Sequence, residues 1–230
     1  MNIQGYQKLT LLDFPGKVAC TVFTGGCNLR CPFCHNASLV LFPTENMNLH
    51  DEVLAYLSKR KGVLDGVCVT GGEPLLQPDL ADFLTELKRM GYAVKLDTNG
   101  SDPKRLQNIL ETGTVDYVAM DFKSAPSTYE KAIGVPFEFS VFEKSLSVLR
   151  ASGVPYELRT TLVKGIHTES DLIEIASYLE GEKRFFLQGF VDSGLLLRDG
   201  FEAFSQEEMK RFLAIIRKKI PPAQLRGQKE

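Results

Sequence analysis

The sequence predicts an α/β fold whose parallel strands form an incomplete, laterally open (β/α)6 barrel, a partial TIM barrel. Two observations lead there. Six short β-branched runs alternate with amphipathic helical stretches, which is the pattern of repeated βα units. A closed eight-unit barrel takes about 250 residues, and a chain of 230 with six strands falls short of it. A doubly wound sheet with helices on both faces is the alternative, and the pattern alone separates the two poorly.

The strands are expected at 18–24, 66–70, 93–97, 117–121, 156–162 and 184–190. Between them, Leu80, Phe83, Leu84 and Leu87 keep the i, i+3, i+4, i+7 spacing of a helix, with Gly91 as its stop. Pro103 behind Asp102 opens the next helix, with Leu106, Ile109 and Leu110 inward and Gly113 after it. Thr168 starts another, carrying Leu172, Ile175, Ala176 and Leu179, and Ser205 with Glu208 makes a capping box before Met209, Phe212, Leu213 and Ile216. No low-complexity linker interrupts the chain. A single domain over 1–230 is expected: a pre-barrel segment at 1–17, a barrel core at 18–190, and a C-terminal loop and helix at 191–230.

Functional side chains in such a fold belong at the C-terminal ends of the strands. Four polar groups stand where an apolar run stops: Thr24-Gly25-Gly26-Cys27, Thr70-Gly71-Gly72-Glu73, Asp97-Thr98-Asn99-Gly100 and Asp121-Phe122-Lys123. Composition excludes several other functions. With 27 basic and 29 acidic residues the net charge is −2, unlike the basic footprint of a nucleic-acid binder. No apolar stretch approaches the ~18 residues of a membrane span, and no basic n-region precedes an apolar core. A cytoplasmic protein is expected, with neither membrane nor nucleic acid as partner.

Three of the five cysteines, Cys27, Cys31 and Cys34, fall within eight residues as C-x3-C-x2-C. Clustered thiols in a reducing compartment point to a metal or to redox chemistry. Three thiolates on one tight loop can hold three corners of a cubic iron–sulfur cluster and leave the fourth iron open to a small molecule. A structural zinc site is the blander reading. It needs four ligands, and the nearest fourth, His35, is awkwardly adjacent to Cys34. Cys20 and Cys68 stand inside apolar strands, where a small buried thiol is the ordinary explanation.

Cys27-x3-Cys31-x2-Cys34 with Phe33 before the last cysteine, together with Gly71-Gly72-Glu73-Pro74 at a strand end, resembles the radical S-adenosylmethionine superfamily. Asp13-Phe14-Pro15-Gly16, Phe23-Thr24-Gly25-Gly26-Cys27 and Cys34-His35-Asn36 are similar to its glycyl-radical-enzyme activases. The match is best with activators of anaerobic ribonucleoside-triphosphate reductase, and pyruvate formate-lyase activases are relatives. The resemblance implies an oxidoreductase with a [4Fe-4S] cluster held by Cys27, Cys31 and Cys34. S-adenosyl-L-methionine would chelate the open iron and be cleaved reductively to a 5′-deoxyadenosyl radical. It implies that Gly71, Gly72, Glu73 and Pro74 receive the methionyl amine and that Phe33 lies near the adenine. Asp97, Thr98, Asn99, Asp121, Lys123 and Arg159 would line the mouth, with Lys123 and Arg159 toward the carboxylate or ribose and a cation beside Asp97 and Asp121. It carries Asp13 over as a substrate contact.

The implied partners are a glycyl-radical enzyme as protein substrate and a flavodoxin- or ferredoxin-type electron donor. Gln188-Gly189-Phe190 stands where the formate-lyase activases carry histidine, which favours the reductase. The other readings are a formate-lyase-type activase, a small enzyme of the same superfamily acting on a free metabolite, and a non-catalytic iron–sulfur or zinc protein. His50 and His167 lie in no motif and are expected at the surface or as caps.

Overall fold

A computed structural model describes residues 1–41, 49–192, 194 and 196–227. In chain order the elements are β1 (Ile3–Thr10), β2 (Ala19–Thr24), α1 (Ala37–Leu41), α2 (His50–Ser58), β3 (Gly66–Gly71), α3 (Leu80–Arg89), β4 (Ala93–Thr98), α4 (Pro103–Glu111), β5 (Tyr117–Asp121), α5 (Tyr129–Ile133), α6 (Phe139–Ser152), β6 (Tyr156–Leu162), α7 (Glu169–Tyr178), β7 (Phe185–Gly189), α8 (Gln206–Arg217) and β8 (Gln224–Arg226). The strands are hydrogen-bonded in sequence order from β1 to β8, with those two as edges. This is the α/β class with parallel strands in an open sheet, a partial barrel.

The six expected strands are present, each within a residue of its predicted limits. Two further strands were not expected. β1 lies in the pre-barrel segment and runs antiparallel to β2, and β8 adds three residues parallel to β7.

The chain forms two compact units. The first comprises Met1–Asn28, Ser38–Ala119 and Ser140–Tyr156. Here β2, β3 and β4 are parallel and in register, joined by the long crossovers that parallel strands need. Leu80, Phe83, Leu84 and Leu87 of α3 are buried as their spacing predicts. Asp102 caps α4 by accepting from Arg105 N, with Pro103 in the first turn. The second unit comprises Leu29–Ala37, Met120–Phe139 and Glu157–Glu230. In it β6, β7 and β8 are parallel. α7 and α8 both begin with full capping boxes, Thr168 with Asp171 and Ser205 with Glu208. Buried Phe122 and Tyr129 form a ring cluster with half-buried Phe139 and Tyr178, Phe122 and Tyr178 being stacked at 5.7 Å. Among the described residues no helix is long and apolar enough to cross a membrane.

Candidate functional site

In the first unit, the chain just beyond β3 lies flush against the end of β2. Gly72 N donates to Thr24 O at 2.8 Å and Glu73 N donates to Gly26 O at 2.8 Å. A Cβ on Gly71 would stand 2.2 Å from Thr24 N, and one on Gly72 would stand 1.9 Å from Gly26 O. Both positions therefore require glycine. The close approach that these glycines permit is first of all that of another backbone segment, the one leading into Cys27.

Glu73 is only 1% exposed, so it is not the solvent-facing glutamate of an ordinary glycine turn. Its Oε1 accepts from Leu75 N at 3.0 Å and from Thr98 Oγ1 at 2.7 Å, and its Oε2 accepts from Asn99 N at 2.7 Å. One carboxylate thus brackets the ends of β3 and β4. Pro74, buried, opens the single helical turn that Glu73 caps.

Asn99 then reaches Cys27. Its Nδ2 donates to Asn28 Oδ1 at 3.0 Å and lies 3.8 Å from Cys27 Sγ, while its Oδ1 accepts from Ser101 N at 2.9 Å. The turn predicted from Asn99-Gly100 is real, and the same amide also serves the cysteine. Amide donors on sulfur are what a cluster thiolate takes from its surroundings. Thr24 Oγ1, at the end of β2 beside Gly71, is buried without a hydrogen-bond partner, an orphan that fits a ligand group at this strand end.

In the second unit, Cys31 and Cys34 share a tight turn in which Cys34 N donates to Cys31 O at 3.0 Å. Arg30 N donates to Ile133 O at 2.9 Å, and a Cβ on Gly134 would stand 2.2 Å from Arg30 O, so α5 ends directly against this loop. Phe33 is buried, edge-on to His167 at 6.1 Å and to Phe201 at 6.5 Å.

Asp121 closes β5 between two cations. Its Oδ2 accepts from Lys123 Nζ at 2.8 Å, and its Oδ1 accepts from Arg159 Nε at 2.9 Å. Burial pushes the Asp121 carboxyl up, but the Arg159 and Lys123 charges outweigh it and hold the group well below the usual carboxylate range. Burial likewise opposes the Lys123 charge, and Asp121 with Cys31 and Cys34 overrides it, raising the ammonium above its ordinary value.

The backbone of Lys123 is fixed by His167. Val163 N donates to His167 Nδ1 at 3.1 Å, and His167 Nε2 lies 2.8 Å from Lys123 O. With Nδ1 accepting, the ring is neutral and carries its proton on Nε2. Burial lowers its pKa further.

The structure revises one sequence-based expectation and adds partners to three others. His167 is buried rather than a surface or capping residue, because its two ring nitrogens bridge backbone groups that no local motif reveals. Cys68 is buried, but its thiol meets charged groups: Sγ lies 3.6 Å from Asp97 Oδ1 and 3.8 Å from Lys95 Nζ. Lys95, which is ion-paired with Asp97, had not been singled out. Its signal was the i, i+2 spacing of two charged residues in one strand. Neither Asp97 nor Asp121 needs a free cation for neutrality, since each holds basic side chains of its own unit. Asp13 lies in the turn between β1 and β2, where Thr10 pairs with Ala19. Its Oδ2 accepts from Thr21 Oγ1 at 2.6 Å, at the opposite end of β2 from Cys27.

Cys20 is buried, and burial pushes its thiol up to about 12, which suits a protonated core residue and not a ligand. None of the three cysteines of the C-x3-C-x2-C loop is in a disulfide, and three thiolates are the donor set of an iron–sulfur cluster. Among the described residues no three His, Cys, Asp or Glu side chains converge as a mononuclear metal site requires. In a cubic cluster each thiolate binds a different iron.

The profile of the radical SAM superfamily matches residues 21–179. A Methanocaldococcus jannaschii protein provisionally designated a glycyl-radical enzyme activating enzyme is 28% identical over 194 residues, 82% of this chain and 79% of that one. The pyruvate formate-lyase-activating enzyme of Staphylococcus aureus is 30% identical over 192 residues, 77% of this chain and 75% of its own. Among solved structures, a radical SAM methyltransferase from Sphaerobacter thermophilus superposes with a TM-score of 0.75 at 17% identity, over 95% of this chain and 68% of that one. That likeness is one of fold.

Proposed function

Because the chain belongs to the radical S-adenosylmethionine superfamily, and within it to the glycyl-radical-enzyme activases, we propose that it places a glycyl radical on an anaerobic ribonucleoside-triphosphate reductase. The enzymes of this family use a [4Fe-4S] cluster and S-adenosylmethionine. When bound, these supply one-electron reductive cleavage of the sulfonium and, with it, hydrogen-atom abstraction; the protein supplies binding, orientation and electrostatics.

The observation that carries this reading is the loop that follows β2, on which Cys27, Cys31 and Cys34 stand as C-x3-C-x2-C without a disulfide. In this reading they hold the cluster. Asn99 donates to the Cys27 sulfur, and Glu73 sets the Asn99 turn. Gly71, Gly72, Glu73 and Pro74 form the surface for the methionyl amine, and Asp97 and Thr98 line the mouth beside it. Phe33 flanks the adenine. The Lys123 and Arg159 pair, with Asp121 balancing their charge, faces the carboxylate or ribose. Asp121 keeps both bases fixed in one geometry, so a bound carboxylate meets an ordered pair of donors.

An open sheet suits a polypeptide substrate, whose loop has to enter from the side. Gln188 near the end of β7, where formate-lyase activases carry histidine, supports the reductase as partner. The 30% identity to a pyruvate formate-lyase-activating enzyme favours the second reading, a formate-lyase-type activase. The whole chain acts as one domain in the cytoplasm. A flavodoxin or ferredoxin delivers the electron, with the exposed runs Lys59-Arg60-Lys61 and Arg217-Lys218-Lys219 as faces for an acidic donor.

The experiment is a side-by-side activation. The reduced, cluster-loaded protein is mixed with S-adenosylmethionine and either an anaerobic ribonucleotide reductase or a pyruvate formate-lyase from the source organism. Reductase activity appearing in the first mixture alone supports the proposal. Activity in the second alone transfers the assignment to the formate-lyase. Turnover of a small metabolite, with neither partner activated, removes both.

A further inference from the structure

Beneath the bracket made by Glu73, the register of the first unit sets a polar row across three strands. Thr21 on β2 pairs with Cys68 on β3, and Cys68 pairs with Lys95 on β4. Alternate residues of a strand share a face, so Asp97 stands on the Lys95 face, one step nearer to Thr98 and Asn99. Lys95 is 1% exposed and Cys68 is fully buried. The Lys95 ammonium is ion-paired with Asp97, and Cys68 Sγ lies against both partners.

Lysine is almost never fully buried unless paired. Removing one member of a buried pair leaves an uncompensated charge, which costs far more than removing both. Asp97 therefore requires a positive charge at this point, and the chain can supply it from a side chain or recruit it from solution. Here the positive charge is covalently attached, two residues back on the same strand. An ammonium is close in size to a potassium ion, so the place that it occupies would suit a free monovalent cation if the side chain were shortened or neutral.

We propose that Lys95 is a positioning residue, the built-in counter-cation of Asp97, which holds the end of β4 in place so that S-adenosylmethionine binds without any recruited monovalent cation. The proposal rests on the reading of this strand end as part of the S-adenosylmethionine site. Lys95 acts through Asp97 and the Thr98–Asn99 turn, which Glu73 holds from the other side. It needs no contact with the cofactor itself.

The test compares wild type, Lys95→Met and the double variant Lys95→Met/Asp97→Asn, all cluster-loaded under anaerobic conditions. Calorimetry measures S-adenosylmethionine affinity in tetramethylammonium chloride and in potassium chloride, and the thermal midpoint is recorded in both salts. Wild-type affinity should be the same in the two salts. Lys95→Met should lose affinity by about tenfold or more in tetramethylammonium and regain it in potassium. The double variant, with neither charge of the pair left, should respond to neither salt and should melt above Lys95→Met in tetramethylammonium.

Wild-type binding that needs potassium would overturn the proposal, as would a folded Lys95→Met that binds like wild type in both salts. A merely structural lysine would lower the midpoint without making affinity depend on the cation. If cluster-loaded wild type binds no S-adenosylmethionine in either salt, the proposed function fails instead. The counter-cation role is then judged by whether the midpoint of Lys95→Met alone rises with potassium.

Discussion

Glu73 offers the sharpest structural perturbation, because a single carboxylate satisfies three buried donors from two strand ends. Glu73→Gln preserves shape and volume but replaces one acceptor oxygen by an NH2 group. If the amide oxygen keeps Leu75 N and Thr98 Oγ1, the NH2 faces Asn99 N. If the amide turns over, it faces Leu75 N instead. Either orientation leaves a buried backbone N–H opposed by another donor, which costs about 1–3 kcal/mol. For a chain of this length about 2 kcal/mol corresponds to about 4–8 °C in the thermal midpoint. Glu73→Ala abandons all three donors, each worth about 1.5–3 kcal/mol to a charged acceptor, so its loss should be at least about 4.5 kcal/mol, more than twice that of Glu73→Gln. Differential scanning calorimetry of the cluster-loaded protein in a sealed anaerobic cell measures both. The bracket argument is refuted if Glu73→Gln melts with wild type, or if Glu73→Ala is the milder of the two.

Three further outcomes are expected. Cys27→Ala, Cys31→Ala and Cys34→Ala should each lose the cluster, seen as iron content and visible absorption after anaerobic reconstitution, while Cys20→Ala should retain about four irons. Gly72→Ala drives a Cβ to 1.9 Å from Gly26 O and should fold poorly, whereas Gly5→Ala, with nothing within 4 Å, should express and melt like wild type. Because burial lowers the pKa of His167 below its ordinary 6.5, the unfolded chain takes up this proton more readily than the folded one. The stability from His167 should be complete above about pH 6.5 and decline as pH falls below it, and His167→Gln should show a flatter urea-midpoint profile between pH 7.5 and 5.5.

The parallel strands and capped helices were legible because their information is local. Capping boxes at Thr168 and Ser205, Pro103 behind Asp102, and the spacing of Leu80 to Leu87 each state an element on their own. β1 escaped because IQGYQKLT has no apolar alternation. Only its first and last residues are buried, and its pairing with β2 holds it in place. β8 is three residues long, too short for any period to register. In the site, the cysteine loop and Gly71-Gly72-Glu73 were readable as motifs, but the work of their side chains was not. That Glu73 organises Asn99, that Asn99 reaches Cys27, and that His167 holds the Lys123 backbone depend on residues 26, 72 and 44 positions apart in the chain. For Lys95 the sequence carries only the i, i+2 spacing with Asp97, which does not tell a buried ion pair from a polar strand end. Only the register with Cys68 and the burial of both reveal the polar row.

The central claim, hydrogen abstraction from a glycine of a protein partner, is tested most directly by isotope transfer. Abstraction requires the glycine Cα to come within about 3–3.5 Å of the adenosyl carbon. A reductase deuterated at glycine Cα is mixed with the reduced protein and S-adenosylmethionine, and both the electron paramagnetic resonance spectrum and the 5′-deoxyadenosine are analysed. The account predicts a glycyl radical signal on the partner and deuterium in the released 5′-deoxyadenosine. Unlabelled 5′-deoxyadenosine, with no glycyl signal on any glycyl-radical enzyme of the source organism, would contradict it.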